Sequence, residues 1–163
     1  RATLREYCNS LEAGFMKGDV HEIQNVKVVE ALIKIRRQPN NIDYIGLLII
    51  PFKTFWFDLT LRAREPDMPG IRESMLVARF GFENIYDIVE AGGEQQVLFK
   101  YPPEDPYDPV KQYRDMPTFF EQEQFDADFP NHPLSLVRRE MPKIIRTIAF
   151  SQEILKASTL SGK

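Results

Sequence analysis

Phe55-Trp56-Phe57-Asp58-Leu59-Thr60-Leu61-Arg62-Ala63-Arg64 alternates for ten residues between two kinds of side chain. Phe55, Phe57, Leu59, Leu61 and Ala63 fall on one side; Trp56, Asp58, Thr60, Arg62 and Arg64 fall on the other. A period of two describes a half-buried strand with one wet face, as antiparallel sheets use. A helix would scatter these aromatics around its circumference. Glu65-Pro66-Asp67-Met68-Pro69-Gly70 follows as a rigid turn.

Upstream, Ile42 to Ile50 reads as a strand buried on both faces, ended or bent by Pro51. Val26 to Arg36 reads as another, and its phase shift near Val28 and Val29 implies a bulge or burial on both faces. Residues 3–17 are expected to be a helix: Leu4, Tyr7, Cys8, Leu11 and Phe15 share a stripe, Thr3 and Glu6 form a capping box, and Gly18 stops it.

Downstream, residues 74–82 read as a strand with Leu76, Ala78, Phe80 and Phe82 on one face. Residues 85–91 and 94–101 flank Gly92-Gly93 as a hairpin, setting Ile88 against Val97 and Tyr86 against Phe99. The rival reading for Phe82, Ile85, Tyr86 and Val89 is a helix capped by Gly92. Residues 102–132 carry Pro102, Pro103, Pro106, Pro109, Pro117 and Pro130, which exclude long regular elements. Thr118 with Glu121 has the form of a single helical turn. From Leu134 to Leu155 the apolar spacing is helical, with Pro142 expected to kink or divide the helix.

The expected architecture is one α+β domain over residues 1–163: an N-terminal helix, an antiparallel sheet of five or six strands, an irregular acidic segment over 102–132, and a long kinked C-terminal helix packed on the sheet. The chain has 163 residues, 43% hydrophobic and 28% charged, a size and balance that suit one core. No apolar run approaches a membrane span. The single cysteine, Cys8, excludes an internal disulfide and leans towards a cytoplasmic, reducing location. The chain opens on Arg1, which leaves a removed signal or a preceding domain open.

Net charge is −3, which gives no reason to expect nucleic acid as a partner. Its distribution says more. Residues 1–82 carry 12 basic and 10 acidic groups, residues 83–128 carry 3 and 12, and residues 129–163 carry 6 and 2.

Motifs for catalysis or cofactors are absent from the sequence, which supplies no phosphate loop, no nucleophile elbow and no zinc-protease helix. No cofactor and no catalytic residue is assigned. Asp126, Asp128 and His132 offer metal-type donors, but their spacing is nonspecific, and a solvated turn with Asn131 capping the last helix is preferred. Glu104, Asp105 and Asp108 lack the ligand ladder of a calcium loop. Cys8 lies on an apolar stripe and reads as a buried, inert thiol rather than a nucleophile paired with His21 or His132.

Two readings of the acidic middle stand side by side. In one it is a docking surface for a basic protein, with Glu104, Asp105, Tyr107, Asp108, Tyr113, Phe119, Phe120, Asp126 and Asp128 as contacts. In the other it packs internally against Arg138, Arg139, Lys143 and Arg146. Trp56, Arg62 and Arg64 form a secondary surface, unless the arginines are taken up by cross-strand pairs such as one to Asp58. The expected function is a non-enzymatic protein-binding module, of a chaperone, toxin-neutralising or assembly type. The alternative is a small-molecule site, enzymatic or not, inside an aromatic-lined cavity.

Overall fold

The computed structural model describes residues 8, 13–38, 41–65, 70–100 and 117–156. Its frame is a four-stranded antiparallel sheet in the order β1-β2-β3-β4, formed by Ala13–Ile23, Val26–Gln38, Asn41–Pro51 and Trp56–Arg64. Gln24 and Asn25 join β1 to β2 with φ of 50° and 64°, the positive values a two-residue hairpin turn requires. The strands read at 26–36, 42–50 and 55–64 are present as β2, β3 and β4.

Both faces of the central strands are buried. Val28, Leu32, Tyr44 and Leu48 point to one face; Ala31, Ile33, Ile45 and Leu47 point to the other, where Cys8 packs. The first face is covered by helix α3, Pro133–Thr147, through Leu134, Val137 and Met141. Gly46 of β3 makes that seat possible. A Cβ there would stand 2.5 Å from Met141 Cγ and Sδ and 3.0 Å from Val137 Cγ1.

Two expectations about the architecture are corrected. The helix expected over 3–17 does not extend to its end: residues 13–17 belong to β1, and the earlier part, Cys8 apart, lies outside the described residues. Ala13 and Phe15 alternate with Gly14 and Met16 across the β1–β2 ladder, and a bulge between Phe15 and Lys17 lets both Phe15 and Met16 find apolar surroundings. Phe15, the last residue of the expected stripe, packs beside the Cys8 cluster from a strand paired with Ile33, which the local spacing does not reveal. The main sheet also has four strands, not five or six. The hairpin β5, Tyr86–Ala91, with β6, Glu94–Phe99, forms a separate two-stranded sheet. Its register sets Ile88 opposite Val97 and Tyr86 opposite Phe99, turning on Gly92 and Gly93 with φ of 63° and 86°.

The strand expected at 74–82 is helical. Helix α1, Ile71–Phe80, is bracketed by Gly70 and Gly81, and α2, Phe82–Ile85, follows. Arg72 and Leu76, one helical turn apart, are the buried pair, while Phe80 and Phe82 stay half exposed. Arg, Glu, Met, Leu and Ala in this stretch are good helix formers, and their propensity outweighs a short accidental alternation.

The end of the chain is two helices, α3 and a short α4, Gln152–Lys156. The break falls after Thr147, not at Pro142, which α3 runs through. His132, not Asn131, caps α3: its Nδ1 accepts the Leu134 N–H at 3.2 Å. No described helix is long and apolar enough to cross a membrane.

Gly46→Ala is expected to destabilise the fold by about 1–3 kcal/mol, because the helix must lift from the sheet. In a Met141→Ala background the same change is expected to cost less, since the new methyl enters vacated space. Urea unfolding midpoints of the four chains measure the coupling.

Candidate functional site

Lys34 of β2 and Tyr44 of β3 are cross-strand neighbours on the helix-covered face. Between them sits Glu121, carried by two successive 3-10 turns, Phe119–Glu121 and Glu123–Phe125. Lys34 Nζ donates to Glu121 Oε2 at 2.8 Å, Tyr44 Oη donates to Oε1 at 2.9 Å, and the Thr118 N–H donates to Oε2 at 2.7 Å. The Lys34 and Glu121 side chains are 3% and 2% exposed, so this is a buried ion pair. Burial alone would raise the Glu121 pKa. The Lys34 charge, with the hydrogen bonds from Lys34, Thr118 and Tyr44, outweighs it and holds the carboxyl below its ordinary value. Its stabilising effect is therefore present above the ordinary glutamate range and is lost as pH falls through the lowered value.

Beside this pair lies a pocket of about 310 Å³ lined by Lys34, Glu65, Glu73, Tyr86 and Glu121, among others. His132 uses Nδ1 for the helix cap, so its Nε2 carries the hydrogen and donates to Glu65 Oε1 at 3.2 Å. Glu73 Oε2 is buried without a hydrogen-bond partner among the described residues. Burial, then the charges of Glu65 and Glu121, push the Glu73 carboxyl up, against its own backbone N–H and His132. The pocket thus holds a carboxyl that favours its proton next to one that does not.

A larger cleft, about 440 Å³, opens on the same face of the sheet where α3 leaves β1 and β2 uncovered. Its floor is Leu32, Gly46 and Met141, and its walls carry both charge signs. His21 Nε2 meets Glu30 Oε2 at 2.6 Å, Lys17 Nζ meets Glu123 Oε1 at 3.1 Å, and Arg138 holds Asp126 at 3.2 Å.

The irregular segment is anchored internally where it is described. Phe120 is buried; Phe119 and Phe125 pack with it, and with Phe80, Tyr86 and Phe99. Asp126 accepts from Arg72, Ser135 and Arg138, and Asp128 pairs with Arg79 at 2.8 Å. Arg138 therefore has the internal role foreseen for it. Arg139 donates to the Pro130 carbonyl of the segment at 3.0 Å and also pairs with Glu140, as Lys143 does. Asp126, Asp128 and His132 have separate partners, and no group of three metal-type side chains converges among the described residues. Glu104, Asp105, Tyr107, Asp108 and Tyr113 lie outside the described residues.

On the opposite face of the sheet, Asp43 is fully buried and accepts from Arg37, Arg62 and Arg64. Burial alone would raise its pKa, but the three guanidinium hydrogen bonds, Arg64 first, hold it below its ordinary value. Arg62 and Arg64 are thus taken up across the strands, by Asp43 rather than Asp58. Trp56 is 70% exposed. Burial pushes the Cys8 thiol up to about 11, so it is a poor nucleophile.

Sequence reasoning passed over Glu73, because a lone glutamate between a turn and an expected strand carries no signal. It placed Ile88 and Val97 on one face of a hairpin but did not foresee that both would stay exposed, at 60% and 54%.

No protein-family model, curated protein or solved structure matches this chain.

Lys34→Met is expected to cost about 3–5 kcal/mol, because Glu121 is left as a buried anion without its cation. Adding Glu121→Gln should return part of that loss, as read from chemical denaturation. Glu73→Gln is expected to raise the melting midpoint at neutral pH, where the wild-type carboxyl loses stability by ionising in the unfolded chain. The gain should shrink as pH falls towards the ordinary value of 4.5, where both side chains are neutral.

Proposed function

We propose that this protein is a non-enzymatic protein-binding module that engages a basic partner through the β5–β6 hairpin and the acidic stretch following it in sequence. The observation that carries the reading is the exposure of the hairpin's apolar side chains. Ile88 and Val97, directly paired, are 60% and 54% exposed, and Leu98 on the other face is 49% exposed. The hairpin is rooted by Tyr86 and Phe99 in the Phe120 cluster and projects beyond it. A two-stranded ribbon is marginally stable alone, and an uncovered apolar pair on it is a contact surface.

Asp87, Glu90 and Glu94 surround the patch and are themselves exposed. With these three carboxylates around the apolar pair, the complementary surface is apolar at its centre and basic at its rim. Ile88→Ser with Val97→Ser, and separately Glu90→Lys with Glu94→Lys, test this. Each pair is expected to weaken capture of a basic partner from the native source by roughly tenfold or more, with an unchanged far-UV spectrum. Salt should weaken the wild-type contact and affect the charge-reversed chain less. Binding indifferent to both pairs overturns the reading.

A second reading, a small-molecule site, is favoured by the mixed-charge cleft around His21 and Glu30, whose volume lies in the range of ligand pockets. A rise in melting temperature with a metabolite, abolished by His21→Ala, would support it.

A further inference from the structure

Strand β4 is the last strand of the sheet order, with no strand beyond it among the described residues. Trp56, Phe57, Asp58, Leu59 and Thr60 are all exposed, and three of these five are large apolar side chains. The strand contains no proline, glycine or lysine, its ladder with β3 has no bulge, and its charged side chains are Asp58, Arg62 and Arg64, two of them held by Asp43. By contrast β1, the strand at the other edge, is interrupted by its bulge between Phe15 and Lys17. Edge strands in monomers are normally blunted by such devices, because an open row of backbone donors and acceptors recruits another strand.

The polarity of that open row is fixed by the ladder. The Glu65 N–H bonds to Ile42 C=O at 3.0 Å and the Phe52 N–H bonds to Phe55 C=O at 2.8 Å. Both lie in the register that sets Asp43 opposite Arg64. Hydrogen-bonded and non-bonded pairs alternate along an antiparallel ladder. The odd-numbered residues of β4 therefore bond to β3. The even-numbered ones, Trp56, Asp58, Thr60, Arg62 and Arg64, direct N–H and C=O to the open edge.

We propose that this edge pairs with the β4 edge of a second copy of the chain, antiparallel, about a two-fold axis through Thr60. The strand is complementary to itself in that register. Thr60 meets Thr60, Asp58 meets Arg62, and Trp56 meets Arg64, each pair twice by symmetry. The first contact sets hydroxyl against hydroxyl, the second carboxylate against guanidinium, and the third places a cation beside an indole face. Asp43 takes an N–H from each arginine, and a guanidinium has five to offer. On the other face Leu59 meets Leu61 and Phe57 meets Ala63. The half-exposed Phe57 and Leu59, at 46% and 37%, are thereby covered by the partner's better buried half. A register shifted by one residue would set each charged face beside an apolar one, which excludes it. The outcome is one continuous eight-stranded sheet from two four-stranded ones.

The test uses the whole chain. Trp56 is the only tryptophan, so its emission reports on this edge alone. Sedimentation over roughly 1 to 100 μM is expected to show a monomer–dimer equilibrium, with Trp56 emission moving to the blue as dimer forms. Thr60→Pro removes an edge N–H without touching a bond to β3, and Asp58→Arg sets like charges opposite each other. Each is expected to weaken the dimer on the order of tenfold or more while the far-UV spectrum stays unchanged. Thr60→Cys is expected to crosslink to itself on oxidation, the native Cys8 being buried. The proposal is overturned by a chain that stays monomeric throughout, including one that holds a different protein on β4. It is equally overturned by a dimer indifferent to both substitutions, or by self-crosslinking at Leu59→Cys in place of Thr60→Cys.

Discussion

The carboxylate of Glu121, held between Lys34 and Tyr44, ties the irregular part of the chain to the regular part. Without it the two 3-10 turns would have few backbone bonds to the sheet, since proline-rich segments have no ladder of their own. Two guanidiniums complete the attachment. Arg138 donates to the Glu121 carbonyl at 2.7 Å and Arg72 to the Gln122 carbonyl at 2.9 Å. Arg72 is fully buried, and its charge is met by Asp126. A buried ion pair is seldom more stabilising than an apolar pair of equal volume. What it adds here is position. Glu121 can ionise comfortably at one place only, and Phe120 and Phe125 are thereby set against Leu76 and Ile85.

The fold was legible where one periodicity ruled. β2, β3 and β4 are strands because Val, Ile and aromatic residues alternate or run unbroken between turn residues, and nothing local competes. It was illegible where two periodicities coincide over a short span. Leu76, Ala78, Phe80 and Phe82 alternate, yet Arg72 and Leu76 are also one helical turn apart, and the partners of the buried Arg72 come from residues some fifty or more positions away. No local window contains that information. The start of β1 has the same character: Phe15 continues the helical stripe of Leu4, Tyr7, Cys8 and Leu11, yet its strand partner, Ile33, lies outside any local window. The sheet count failed for a further reason. The β5–β6 register could be read from side chains, but whether a hairpin joins the main sheet depends on edge bonds that side chains do not encode.

The candidate sites divide in the same way. That Arg62 and Arg64 would be used across the sheet followed from their shared face, while their acceptor, Asp43, stands on the neighbouring strand β3, outside the acidic stretch over 83–128. Asp126 is a member of a conspicuous acidic stretch, and in space it belongs to two arginines. Charge runs in sequence report local density, whereas satisfaction is settled by whatever distant cation folding delivers. Glu73 shows the converse. It stands in no pattern, and only its burial beside Glu65 and Glu121 makes its protonation unusual.

The strand that decides the fold carries both faces of the problem. Its apolar face is covered by α3 and its surroundings near Leu61 and Ala63 and left open near Phe57 and Leu59. A monomer with that imbalance keeps an aromatic edge in water without a proline or a bulge to guard it, which is a liability. Strand pairing about Thr60 would resolve the imbalance with the same residues that create it, because the uncovered half of one copy faces the covered half of the other. It would also leave both hairpins outside the joined sheet, since β5 and β6 pair only with each other. Under both proposals, two acidic, apolar-tipped arms on one particle would make the second contact with a repeated or oligomeric basic partner intramolecular. Modest affinity per arm would then suffice, because the effective concentration of the second arm would replace contacts that a small ribbon is too narrow to provide.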